Sequence, residues 1–206
     1  PALRLAGFDG LILSGRAKRP SVLLIENESV SVRDAGNLWG MGVLECTREL
    51  KKTYGKKSTS LVIGPAGENG VPFACILNEA HHAFGRCGMG AVMGAKNLKA
   101  LVVQSGAGTL SLADPDRIKS LTRELNPRIK DYLISQILHD YGTSGNLEGH
   151  MYDGDVPMRN WTSSYDEEMA SALTGSTLSE TYLKKTATCA YCAVACKRIV
   201  QVDEGP

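Results

Sequence analysis

The chain has 206 residues, 43% of them apolar and 22% charged, an ordinary globular composition that excludes a disordered tail and allows one full domain with part of a second, or two small ones. Twenty-three basic residues against twenty-two acidic ones leave a formal charge of +1, so no general electrostatic case for nucleic acid follows. The longest apolar runs, such as Ala100-Leu101-Val102-Val103, fall far short of the roughly 20 residues of a membrane span. The chain opens on Pro1 with neither an initiator Met nor a signal peptide, and reads as a piece of a longer protein.

Residues 8–14, 21–26 and 29–33 are rich in Val, Ile and Leu, bounded by Gly15, Pro20 and Gly36, and are expected as strands. Glu26-Asn27-Glu28 joins the last two as a tight hairpin. Residues 42–54 carry Val43, Leu44, Leu50 and Tyr54 at helical spacing, with Lys51 and Lys52 near the C-terminal end and Gly55 as a stop. Residues 60–63, 73–77 and 99–104 return to strand-like composition. After Ser105-Gly106-Ala107-Gly108 the character changes. Asp114 caps a helix with Pro115 in its first position, and Ile118, Leu121, Leu125, Ile129, Leu133 and Ile137 follow at spacings of three and four. Pro127 is expected to kink or split that run. Residues 141–160 read as loop, and 177–185 as a short helix leading to a cysteine cluster. The fold expected is α+β: a sheet-bearing part over residues 1–108, then a mainly helical part over 109–206.

Six cysteines are too few and too clustered for a secreted disulfide framework, and fit a reducing cytoplasm with a metal site. Cys189, Cys192 and Cys196 form a C-x2-C-x3-C run, which lets a tight loop and the first turn of a helix aim three thiolates at one centre. Ala190, Ala193 and Ala195 between them allow the backbone close. Three thiolates make three corners of an iron–sulfur cluster or of a zinc tetrahedron, and spacing alone does not separate the two. A fourth ligand is expected beyond Pro206, since Cys46, Cys75 and Cys87 lie far upstream.

Gly85, Gly88, Gly90 and Gly94 crowd a second segment, where backbone amides could approach a bulky ligand or phosphate oxygens; tight packing between elements is the alternative. The nucleotide patterns fail there. Ala95 separates Gly94 from Lys96, Asn97 follows where a Walker loop needs Ser or Thr, and the glycine spacing misses the dinucleotide pattern. Gly64-Pro65-Ala66-Gly67 is a sharp turn after a strand. His81 and His82 are adjacent and cannot both face one metal from a regular element. His139 and His150 read as local hydrogen-bonding residues.

Several motifs in order resemble the tungsten-containing aldehyde:ferredoxin oxidoreductase family. They are Ala6-Gly7-Phe8-Asp9-Gly10, Val32-Arg33-Asp34-Ala35, Leu38-Trp39-Gly40, Ile63-Gly64-Pro65-Ala66-Gly67-Glu68-Asn69, Gly88-Met89-Gly90-Ala91-Val92-Met93-Gly94-Ala95-Lys96-Asn97-Leu98-Lys99-Ala100, Pro157-Met158-Arg159-Asn160 and the cysteine run. The resemblance implies part of a β-rich first domain that forms a base under a bis-pterin tungsten (or molybdenum) cofactor with a bridging Mg2+, then the start of a helical domain. It implies oxidation of an aldehyde to a carboxylate, electrons passing through a [4Fe-4S] cluster to ferredoxin or an electron-transfer subunit, and a possible homodimer of the full-length protein.

By that resemblance Cys189, Cys192 and Cys196 are three of four cluster ligands. Ala83 offers a backbone carbonyl to the magnesium and Gly85 is a close backbone contact, with Arg86 and Lys96 nearby in supporting roles. His82 stands where the family carries an Arg that binds the cofactor, and Cys87 where it carries a Gly. No catalytic residue is assigned within the chain. Two other readings remain at this point: an electron-transfer module that keeps the cluster without the pterin, and a structural zinc protein. A relative acting on another carbonyl or acyl substrate is a further variant of the first.

Overall fold

The computed structural model describes residues 1–79, 81–104 and 109–203. The chain divides into two compact units, Pro1–Ser111 and Leu112–Pro206. The Ser105-Gly106-Ala107-Gly108 stretch, where the sequence changes character, lies outside the described residues.

In the first unit, β1 (Ser21–Glu26) and β2 (Ser29–Asp34) form the expected hairpin. Asn27 and Glu28 hold φ of 45° and 65°, the two successive positive angles of the turn that suits strand twist. Four further strands are β3 (Thr59–Val62), β4 (Ile76–Asn78), β5 (His82–Phe84) and β6 (Leu98–Gln104). They complete a six-stranded sheet in the order β2-β1-β6-β3-β4-β5, in which β1 and β6 are parallel and every other pair antiparallel. Residues 73–75 of the strand expected over 73–77 fall before β4.

The central strands are apolar on both faces, so both must be covered. On one face Val22, Leu24, Val62, Ala100 and Val102 pack with Cys46 and Leu50 of α2 (Val43–Tyr54), which ends at Gly55 with φ 93°. On the other, Ile25 and Val103 pack with Ala6, and Ala2, Leu3, Phe8 and Leu11 lie against them from the N-terminal segment. Residues 8–14 are therefore not the expected strand. Both edges of β1 are taken by β2 and β6, so this segment adds side chains to the second face without pairing.

Two short helices complete the unit, α3 (Pro65–Glu68) and α4 (Met89–Ala95). The glycine-rich segment is thus helical from residue 89, where the sequence reading had a ligand-cradling loop.

The second unit is mainly helical. In α5 (Pro115–Asp131), Asp114 accepts from the Arg117 amide at 2.8 Å and Pro115 opens the helix as expected. Pro127 does not split it. None of the helix is buried, so the carbonyl that Pro127 leaves without a donor faces water, and the break comes at the extended Tyr132. Helix α6 (Leu133–Tyr141) follows and ends at Gly142 with φ 69°. Residues 141–160 are not the expected loop. They hold two 3-10 turns and α7 (Leu147–Tyr152), whose Met151 joins Met158 and Ala170 in a small core.

Beyond lie α8 (Glu167–Leu173) and α9 (Gly175–Thr181), capped by Asp166 and Thr174. The expected 177–185 helix stops at Thr181. The chain then forms an antiparallel hairpin of β7 (Leu183–Ala187) and β8 (Lys197–Val200).

Candidate functional site

The expected cofactor residues occupy one stretch of the first unit. His82 and Ala83 lie on β5, the edge strand, paired with Asn78 and Leu77 of β4. Gly85 and Arg86 continue directly from it, and all four are exposed. Around Gly85 the space is open: the nearest atom to an added Cβ would be the Ala83 Cβ at 3.9 Å. Cys87 and Gly88 then hold φ of 66° and 62°, turning the chain into α4.

The remaining glycines serve packing. A Cβ on Gly88 would collide with the Pro72 carbonyl, one on Gly90 would sit 2.5 Å from the Cys75 carbonyl, and one on Gly94 would overlap the carbonyl of Gly67. Gly67 in turn leaves 2.9 Å to the Gly90 carbonyl. Helices α3 and α4 therefore touch backbone to backbone, and Gly85 alone of this run keeps an open face. Lys96 donates to the Gly15 carbonyl at 3.1 Å and ties down an N-terminal loop.

Beneath this pair lies a group that the sequence reading missed. Lys99 on β6 is fully buried and pairs with Glu68 at the end of α3, itself only 4% exposed. Lys99 also donates to the Met41 carbonyl at 2.8 Å, and Glu68 accepts from the Gly40 amide at 2.8 Å. The ion pair thus joins the Leu38-Trp39-Gly40, Gly64–Asn69 and Lys99 motifs in one place. Burial pushes the neighbouring Cys46 thiol up to about 11, against a smaller downward pull from Lys99. That thiol is inert at neutral pH.

In the second unit the cysteine run forms the turn between β7 and β8, not the start of a helix. Cys189, Cys192 and Cys196 are half-buried. The Val194 amide donates to Cys192 Sγ at 3.4 Å, and with the Ala195 amide it lowers the thiol pKa by stabilising the thiolate. Tyr191 and Ala195 supply the left-handed angles, φ 61° and 59°, that bend the backbone round the sulfur.

Among the described residues no three His, Cys, Asp or Glu side chains close round one metal ion. Three half-buried thiols on one short turn, one already supplied with amide donors, are a donor set that fits a thiolate-held iron–sulfur group.

His139, read from sequence as a local hydrogen-bonding residue, contacts this turn. Its Nδ1 lies 2.7 Å from the Val194 carbonyl. Arg198, which the sequence reading did not single out, binds carbonyls of both the turn and α6.

The sheet edge thus carries a stretch with an open glycine, and the β7–β8 turn carries three cysteines. The family follows from comparison. The model for the aldehyde ferredoxin oxidoreductase N-terminal domain matches residues 1–105, and that for domains 2 and 3 of the same family matches residues 120–206. The chain belongs to the aldehyde ferredoxin oxidoreductase family.

It is 35% identical to the tungsten-containing aldehyde ferredoxin oxidoreductase of Pyrococcus furiosus and 38% identical to that of Pyrococcus abyssi, in each case over 99% of this chain and 34% of the relative. The chain therefore spans about a third of the length of these relatives. Among solved structures, the active-site complex BamBC of benzoyl coenzyme A reductase, in complex with 1,5-dienoyl-CoA, matches all of this chain and 33% of its own. The TM-score is 0.77 at 27% identity, which supports the α+β fold. Among the described residues no helix is long and apolar enough to cross a membrane.

Proposed function

We propose that this chain is the cofactor-base and cluster-ligand portion of a tungstopterin oxidoreductase that oxidises aldehydes to carboxylates and delivers the electrons through a [4Fe-4S] cluster to ferredoxin or an electron-transfer subunit. The observation that carries the reading is the turn between β7 and β8, where backbone amides stabilise the Cys192 thiolate beside Cys189 and Cys196. When bound, the tungstopterin would supply the two-electron oxidation, with water as the oxygen source.

The chain's own part is to hold and orient. Ala83 would present its carbonyl to Mg2+, Gly85 would let the backbone approach the pterin, and His82 would face the phosphates with Arg86 in support. The three cysteines would each hold one iron. The protein would act in the cytoplasm, and the full-length form would dimerise.

Metal analysis with a visible spectrum, on anaerobically purified full-length protein, tests this. Tungsten or molybdenum together with about four irons per chain and a broad visible band is the expected result. Zinc in place of iron, with no visible band, would refute it.

A second reading rests on Cys87. It holds φ 66°, a conformation that costs a β-carbon-bearing residue energy, at the position where the family resemblance has Gly. A chain that kept the cluster without the pterin would show iron but neither tungsten nor molybdenum.

A further inference from the structure

We propose that Arg198, assisted by His139 and Gly142, is the positioning residue that fixes the ligand geometry of the three-cysteine turn. The inference rests on the reading of Cys189, Cys192 and Cys196 as cluster ligands.

Among the described residues, the buried apolar cluster of this unit, Met151, Met158 and Ala170, includes no residue of the turn. The turn's position comes from polar contacts with the C-terminal end of α6. Arg198 donates from Nε to the Cys196 carbonyl at 3.4 Å and from Nη2 to the Ala195 carbonyl at 3.4 Å. The same guanidinium reaches the Asp140 carbonyl at 3.2 Å, the Leu138 carbonyl at 3.3 Å and the His139 carbonyl. These last three belong to the final turn of α6, where the Leu138 carbonyl also accepts from the Gly142 amide at 3.0 Å and the helix dipole favours a cation. One planar fork reaches all five carbonyls, three of them sharing the two N–H groups of Nη2, a spread that a lysine ammonium cannot match.

His139 completes the anchor. A carbonyl only accepts, so Nδ1 carries the proton in its bond to Val194. The Val194 carbonyl and the Ala195 N–H share one trans peptide plane and point in opposite directions. Holding that carbonyl toward α6 therefore aims the Ala195 N–H away from it, toward Cys192 Sγ, where it stabilises the thiolate. Gly142 makes the room: a Cβ there would lie 3.1 Å from the Cys196 carbonyl and 3.3 Å from Arg198 Cγ, on a backbone at φ 69°. Two effects of Arg198 are separable. Its charge beside the ligand loop favours the reduced, more negative cluster, and its fork holds the loop's shape.

The test uses full-length protein purified anaerobically, as wild type, Arg198→Met, Arg198→Lys, His139→Leu and His139→Asn. Iron loss to a chelator is followed by the decay of the visible band, and the cluster reduction potential is measured by titration. Both Arg198 variants should lose iron about tenfold faster than wild type, the scale of lost support around a metal ligand. Arg198→Met should lower the potential, while Arg198→Lys, which keeps the charge, should hold it near the wild-type value. His139→Leu should speed iron loss. His139→Asn, whose amide can stand in for Nδ1–H, should restore it, and tungsten per chain should stay constant throughout.

Wild-type iron loss and an unchanged potential in both Arg198 variants would overturn the proposal. If Arg198→Met does not accumulate, Arg198→Lys and the His139 pair decide the question on iron loss alone. Wild-type protein without iron or a visible band would instead remove the cluster reading itself, an outcome distinct from a cluster that is present and indifferent to Arg198.

Discussion

Gly94→Ala and Gly85→Ala lie nine residues apart and should fail in different ways. Alanine at position 94 gains up to about 1 kcal/mol of helix propensity over glycine. Its Cβ, however, would overlap the Gly67 carbonyl, a backbone atom that no side-chain rotation can move. Overpacking of this kind costs roughly 1–3 kcal/mol and often more where backbone must shift. The clash wins, and we expect a net loss of about 1–2 kcal/mol, a factor of roughly 5–30 in the opening equilibrium. Native-state hydrogen exchange on the full-length protein should show it as faster exchange in α3, α4 and β6. At Gly85 the nearest atom to an added Cβ is 3.9 Å away, so Gly85→Ala should leave exchange unchanged to within about 0.5 kcal/mol. Its effect should appear as reduced tungsten per chain if the methyl occupies the face proposed for the pterin. Wild-type exchange in Gly94→Ala would refute the packing argument, and full tungsten occupancy in Gly85→Ala would refute the contact role.

Three more expectations follow from buried or strained groups. Lys99→Met leaves the Glu68 carboxylate buried without its ion partner and should cost about 3–5 kcal/mol, whereas Lys99→Met with Glu68→Leu should cost less; equal losses in the two would contradict this. Cys46 is protonated in the fold up to about pH 11, so the folded form binds that proton more tightly than the unfolded chain does. The stability it contributes is present below about pH 9 and lost as pH rises towards 11, on the order of 2–3 kcal/mol, and a pH series should flatten there in Cys46→Ala. Glu28→Gly relieves a positive φ of 65° in the β1–β2 turn and should raise the thermal midpoint by the equivalent of about 1 kcal/mol; an unchanged or lower midpoint would contradict this.

What could be read from sequence was what short-range physics decides. The β1–β2 hairpin, α2 with its Gly55 stop and the Asp114-Pro115 start of α5 depend on residues within a few positions of each other, and all three form as the pattern predicts. Residues 8–14 have strand composition, but whether a strand forms depends on a free sheet edge, and β6, more than 80 residues away, takes the one beside β1. Helices α7 and α8 have six and seven residues, too short for a periodic apolar face to stand out. The cysteine run was legible as a candidate ligand set, yet what holds the turn was not. Arg198 acts on carbonyls up to 60 residues away, and a carbonyl carries no side-chain identity for a pattern to detect. Lys99 and Glu68 are 31 residues apart and each looks like an ordinary charged residue until the fold buries both. In both places distant backbone groups set the geometry of the side chains. The residues that shape this site are therefore found from hydrogen-bond partners and not from motif spacing.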